Sequence, residues 1–403
     1  ALILYDKLND KAGKANALNN IGAVYSNLGE KQKALQLYKQ ALPLYSAVED
    51  NSGEATTLNN IGQVHSNLGE KQKAQEYFNQ ALLLFRKLKD RREEAKILNN
   101  IGGVYSDLGY KFKALEYYNQ ALPTFESIED INQKANTLNN IGSAYSDLGE
   151  QQKAIEYYNQ ALPIFRNVEN RVMEASTLNN MGSVYNILGE REKALTLFTQ
   201  ALTLFRSVNS KAGEASTLNN MGLLYVALGD KQKALEYYQR ALSFQRQIED
   251  RNTEATTLNN IAQVYSDLGN KQKALENLQQ ALQLTRAVKN KAGEATSLNN
   301  IGTIYDALGN KKSSLEYFKG ALPLYQQVRE KDGEANTLLN LARLERKQGN
   351  LQVALQNIQS AIQIIEDLRS SYTNQDLKTS YFSTVQDYYK FYIDLLMEQH
   401  KKN

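Results

Sequence analysis

The chain has 403 residues, and its 47 Lys and Arg against 44 Asp and Glu leave a formal net charge of +3, with both signs interspersed. That balance gives no electrostatic case for nucleic acid. Cysteine is absent, which excludes disulfides, thiolate nucleophiles and zinc–thiolate sites and agrees with a reducing, cytoplasmic setting. No stretch approaches the ~18 apolar residues of a membrane span, so no membrane partner is expected.

The first residues, Ala1-Leu-Ile-Leu-Tyr5, align with Ala41-Leu-Pro-Leu-Tyr45 forty residues later. Residues 1–10 are therefore expected to be the end of a helix from a preceding repeat, and the chain part of something longer. The string Leu-Asn-Asn-Ile-Gly at Leu18–Gly22 then returns every 40 residues, at Leu58, Leu98, Leu138, Leu178, Leu218, Leu258 and Leu298, with a degraded copy at Leu338. A fixed period of this kind means one supersecondary unit stacked in a row.

Within the unit, Leu18, Ile21, Gly22, Tyr25 and Leu28 share one face of a first helix, helix A. Asp10 and its equivalents Asp50, Asp90, Asp130, Asn170, Ser210, Asp250 and Asn290 are N-cap types, and only Glu330 departs from them. Glu54, Glu94 and Glu174 follow in the first turn, where they complement the helix dipole. A glycine in every repeat, Gly29 to Gly349, ends helix A in the left-handed conformation. Ala34, Leu37, Tyr38, Ala41, Leu42 and Tyr45 then mark a second helix, helix B. Pro43, Pro123, Pro163 and Pro323 fall inside it and are expected to kink it. Gly22 and Ala41 let the paired helices approach closely, with Tyr25 and Tyr38 filling the space beside them.

Period alone leaves HEAT and armadillo repeats open. The pattern Leu18-x-x-Ile21-Gly22-x-x-Tyr25 … Gly29 … Ala34 … Tyr38-x-x-Ala41 resembles the tetratricopeptide repeat (TPR) signature, with six residues more than the standard unit of 34. The Leu-Asn-Asn wording is similar to the kinesin light chain subtype and, more closely, to cyanobacterial proteins in which such repeats precede a CHAT protease domain. This resemblance implies an all-α, α-solenoid fold, a right-handed superhelix of antiparallel helix pairs. Residues 11–370 would form nine units and residues 371–403 a capping helix. That last helix is expected over roughly Gln375–His400, with a capping box at Thr373 and Asp376 and a stripe of Leu377, Tyr381, Val385, Tyr388, Tyr392 and Leu395. It either packs over the last repeat or offers a docking face to a further domain.

Opposite the core face of helix A lie Asn16, Asn20, Ala23 and Asn27, with Asn19 and Ser26 on one flank. Asn is a mediocre helix former, so repeated mid-helix Asn-Asn pairs are not there for propensity. By the family resemblance this face lines a concave groove. A carboxamide both donates and accepts, so it can pair with a peptide backbone. A helices about 10 Å apart would meet an extended peptide, rising about 3.3 Å per residue, at every third residue. The candidate ligand-binding series is Asn20, Asn60, Asn100, Asn140, Asn180, Asn220, Asn260, Asn300 and Asn340. The flanking Asn19 series is assigned to ties between neighbouring repeats.

Specificity is expected from variable positions. Repeats one to four offer polar residues such as Asn16, Gln63, Lys96, Asp107 and Asn136. The sixth turns apolar with Leu223, Val226 and Ala227, and the ninth basic with Arg343, Arg346 and Lys347. A peptide with an apolar segment and an acidic residue fits this layout. Asn16, Asn19 and Ala23 argue against the family's carboxylate clamp. No catalytic residue, cofactor or metal site is expected: His65 replaces a core tyrosine, His400 lies near the end, and no phosphate loop appears. The function expected is thus a non-enzymatic module that binds an extended peptide or partner protein, as a monomer. The alternatives are the sensor arm of a CHAT-type protease effector and a bare scaffold.

Overall fold

The computed structural model describes residues 2–370 and 385–402, which hold helices and no strand. The chain forms two compact units, Ala1–Thr137 and Leu138–Asn403. A short helix, Leu2–Leu8, opens the first. The A helices are Lys11–Asn27, Asn51–Asn67, Arg91–Asp107, Ile131–Asp147, Arg171–Ile187, Lys211–Ala227, Arg251–Asp267, Lys291–Ala307 and Lys331–Lys347. The B helices are Lys31–Ala47, Lys71–Leu88, Lys111–Ser127, Gln151–Asn167, Arg191–Ser207, Lys231–Gln247, Lys271–Ala287, Lys311–Val328 and Leu351–Ser370. Each B helix containing a proline is one continuous α-helix through it.

The caps follow the sequence. Asp10 Oδ1 accepts from the Gly13 N–H at 2.8 Å, and Glu330, with its longer side chain, still reaches Gly333 N–H at 2.9 Å. Gly29 through Gly349 all have positive φ, 83° at the first and 84° at the last. A second left-handed position had no glycine to announce it. Asn9 closes the opening helix, and Glu49, Lys89 and their equivalents up to Arg329 close the first eight B helices, at φ between 53° and 58°.

Small-against-large packing holds each pair together. A methyl group on Gly22 would sit 2.7 Å from the Tyr38 ring, and one on Gly302 2.7 Å from that of Phe318. Glycine faces an aromatic ring where the two helices cross in every repeat but the seventh and ninth. In the seventh repeat the glycine becomes Ala262 and its partner shrinks to Leu278; in the ninth they are Ala342 and Ile358, all four buried. Volume is conserved across the contact, the kind of exchange that cores tolerate best.

The last described helix is Gln386–Lys402. Thr373, Asp376, Leu377 and Tyr381 lie outside the described residues. Val385 and Leu395 are buried. The helix runs antiparallel to the last B helix, with Tyr389 OH donating to Glu366, Gln359 to Tyr392 OH at 3.1 Å and Gln399 to Gln352 at 3.4 Å.

Candidate functional site

The Asn-Asn pairs build a ladder between neighbouring A helices. In the first unit Asn60 Nδ2 donates to Asn19 Oδ1 at 3.1 Å and Asn100 to Asn59 at 2.9 Å. In the second, Asn180 donates to Asn139, Asn220 to Asn179, Asn260 to Asn219, Asn300 to Asn259 and Asn340 to Asn299, at 2.8–3.4 Å. The first Asn is the acceptor, half-buried or buried, and the second the donor, half-buried. The tie assigned to the Asn19 series thus also engages one N–H of its neighbour series. Asn20 is exposed, and the side chain of Asn340 also donates to Asn336.

Sequence reasoning missed the third member of this ladder. Thr57, Thr137, Thr177 and Thr257 are buried, and each hydroxyl lies 3.1–3.2 Å from the Oδ1 of the preceding repeat's first Asn. It also missed an ion-pair ladder from most B helices to the next A helix, with Ser46 and Gln326 as the uncharged exceptions. Arg166, Arg206, Arg246 and Arg286 donate to Glu174, Glu214, Glu254 and Glu294 at 2.6–3.2 Å, eight residues on. Of the expected dipole-complementing glutamates, Glu94 and Glu174 are therefore also acceptors of a specific bond. The sequence carried the signal, because the pair is charge-reversed at Asp6–Lys14 and Glu126–Lys134. Burial raises the Glu294 carboxyl, but hydrogen bonds from Lys291 and Arg286 outweigh it and hold the group below the ordinary carboxylate range.

His65 is buried, stacked on Tyr77 at 5.4 Å with its Nδ1 2.5 Å from Glu70. Tyr105–Tyr117, Tyr145–Tyr157, Tyr225–Tyr237 and Tyr305–Tyr317 stack in the same way, so this histidine occupies a tyrosine's place in the packing. Among the described residues no cluster could hold a metal ion, and no helix is long and apolar enough to cross a membrane.

Of the apolar variable positions Leu223 is open to solvent at 42 % and Val226 half-buried against the core, and Ile187 of the preceding repeat is 63 % exposed. At the basic end Arg343 and Lys347 are exposed and Arg346 half-buried, but their side chains are engaged from within the chain. Arg346 Nε bonds Glu398 of the last helix at 2.9 Å, and Lys347 bonds Asp306 at 2.5 Å. The guanidinium groups of Arg343 and Arg346 lie 5.9 and 5.5 Å from the Phe391 ring centre, within cation–π range. These residues line a cleft of about 590 Å³ with Thr303, Asn340 and Phe318. The acidic group that the basic triplet invites comes, for Arg346 and Lys347, from the chain itself.

A second cleft, of about 320 Å³, lies between the A helices of repeats seven and eight. Its walls are carboxamides: Asn252, Asn259, Asn260, Gln263, Asn290 and Asn300. Two members of the candidate series thus share one concave surface with hydroxyls of Thr256 and Thr296 at its side. The arrangement offers donors and acceptors without net charge, suited to a peptide backbone.

The tetratricopeptide repeat family profile matches residues 13–87, 53–127, 93–167, 173–247, 253–327 and 312–367. The chain belongs to the tetratricopeptide repeat family, an α-solenoid class whose members typically mediate protein–protein interaction and are typically non-catalytic. Among solved structures it is similar to a Rap protein complexed with Competence and Sporulation Factor, at 17 % identity and a TM-score of 0.56 over 89 % of this chain and 99 % of that one. The quorum sensor NprR from B. thuringiensis matches at 17 % identity and 0.55, over 80 % and 99 %. Kinesin light chain-like repeats from Podosopora anserina match at 17 % and 0.40, over 48 % and 96 %. At these identities the likeness to the first two shows the fold alone. No curated protein sequence matches the chain.

Proposed function

We propose that the outer stripe of the A helices binds an extended peptide or an extended segment of a partner protein, without catalysis. The observation that carries this reading is the carboxamide-walled cleft holding Asn260 and Asn300. Each of these side chains spends one N–H on the ladder. A carboxamide has a second N–H and two acceptor lone pairs, which suffice for one backbone contact in each direction. The exposed Leu223 and Ile187 supply an apolar stretch one and two repeats earlier in the same unit. Ladder geometry also assigns the Asn pair a structural share, so its replacement acts on packing as well as on binding.

The test uses the full chain against an arrayed library of unstructured peptides. Captured peptides are expected to bind the Asn260→Ala/Asn300→Ala variant about tenfold more weakly, the worth of one or two hydrogen bonds. Helical circular dichroism should stay near that of the wild type. Unchanged affinity in the double variant would sink the proposal.

A further inference from the structure

Tyr45, Phe85, Phe125, Phe165, Phe205 and Tyr325 hold one repeat position near the end of helix B, and all are buried. Each ring of the group that meets a glycine rests on the next A helix: Tyr45 on Gly53, Phe205 on Gly213, Tyr325 on Gly333. The tyrosine hydroxyls then reach the outer stripe of their own A helix. Tyr45 OH donates to Asn16 Oδ1 at 2.8 Å, and Tyr325 OH lies 2.9 Å from Thr296 Oγ1.

Repeat seven departs from this rule. The ring position is Thr285, the next-helix position is Gly293 and the stripe position is Thr256. Thr285 turns its hydroxyl back to Leu282 O at 3.0 Å. Repeat six also lacks the ring, but there Gln245 fills the space and bonds Thr257 at 2.9 Å. Among the described residues, two small residues therefore face each other at this contact only between repeats seven and eight, and the 320 Å³ cleft opens where they meet, with Thr256, Thr285 and Gly293 in its wall.

We propose that this notch is a pocket for a tyrosine side chain of the bound peptide. A single Thr285 methyl group meets Gly293 where the Tyr325 ring meets Gly333, so the ligand's ring would enter the cleft beside that methyl, while the peptide backbone runs past Asn260 and Asn300. Thr256 gives its own proton to Asn252 O at 3.2 Å, so its oxygen is left to accept from the phenol. That bond selects tyrosine over phenylalanine, since phenylalanine leaves the pocket's polar rim unpaired. The size of the cleft is at the lower end of ligand pockets, ~300–1,000 Å³. The proposal builds on the peptide-binding reading, but the notch can be probed without a peptide.

The probe is p-cresol, the tyrosine side-chain analogue, with toluene as its counterpart lacking the hydroxyl. Saturation-transfer NMR on the full chain should show p-cresol binding, weaker binding of toluene, and loss of both in Thr285→Tyr, which fills the notch from within. Should that variant not fold, Tyr325→Thr recreates the Thr/Gly pair against Gly333 and is expected to add a second p-cresol site. No p-cresol signal in the wild type, or an undiminished one in folded Thr285→Tyr, would overturn the pocket. Among captured peptides, replacing Tyr by Ala should weaken binding about tenfold or more, in line with burial of one aromatic side chain. A Tyr-independent peptide that still needs Asn260 and Asn300 keeps the backbone reading and rejects the pocket. Specific p-cresol binding with peptides indifferent to both Asn residues does the reverse.

Discussion

Among the differences between repeats seven and eight are two packing contacts, and these two have opposite consequences. In repeat eight Gly302 lies under Phe318; in repeat seven the pair is Ala262 and Leu278, one larger and one smaller. The exchange is matched across the contact, and the helices remain closed. At the other position repeat eight has Tyr325 on Gly333, while repeat seven has Thr285 facing Gly293. Here the loss is unmatched, and an accessible cleft results. One fold thus tolerates sequence change by compensation, or turns it into a surface where compensation is withheld.

The largest effect expected along this comparison is at Tyr325. Tyr325→Ala should cost about 3–5 kcal/mol of stability in chemical denaturation, as for other buried rings. Burial pushes the Tyr325 hydroxyl up to about 12, with the Thr296 bond partly opposing it. A raised folded value means full stabilisation below the unfolded value of about 10, lost as pH rises through the folded one. Tyr325→Phe should therefore flatten the fall in stability between about pH 10 and 12 relative to wild type.

A smaller effect tests the compensated pair. Gly302→Ala places a methyl group against Phe318 and should cost about 1–3 kcal/mol. Joining it to Phe318→Leu transplants the pair of repeat seven, and the double variant should be more stable than the sum of the singles by about 0.5–3 kcal/mol. Strict additivity would mean that the glycine and the ring are not read together.

The smallest effect concerns the ion-pair ladder that both repeats share. Exchanging the charges as Arg286→Glu/Glu294→Arg copies the reversed pair Glu126–Lys134 and should change stability by less than about 1 kcal/mol. The depressed Glu294 carboxyl stabilises above its unfolded value of about 4.3 and ceases to do so as pH falls through its lower folded value. Thermal melts across that acid range should show Glu294→Gln with a shallower acid slope than wild type.

Much of the molecule was legible because its contacts are local or periodic. Asp10 announces a helix start and Gly29 a helix end through bonds within a few residues, and the Leu18 to Tyr25 face follows from 3.6-residue periodicity. The ion-pair ladder was legible in principle, through the swap at Asp6–Lys14, but it requires pairing residues on two different helices. The Asn ladder was half read: its ties were expected from the Asn19 series, while the donor proves to be the next repeat's second Asn. The basic end was harder still, since Glu398 lies 52 residues from Arg346 and outside the 40-residue register.

The sequence by itself determined the period, the helix pair, the caps and the small residues at which helices cross. These rest on steric and hydrogen-bonding rules that act within a turn or at a fixed repeat spacing. Only the tertiary structure decided which carboxamide N–H is spent, which basic residues are already paired, and where Thr285 and Gly293 leave room. Those outcomes depend on how one helix lies against the next, and two small residues eight apart become a cleft only when the packing brings them face to face.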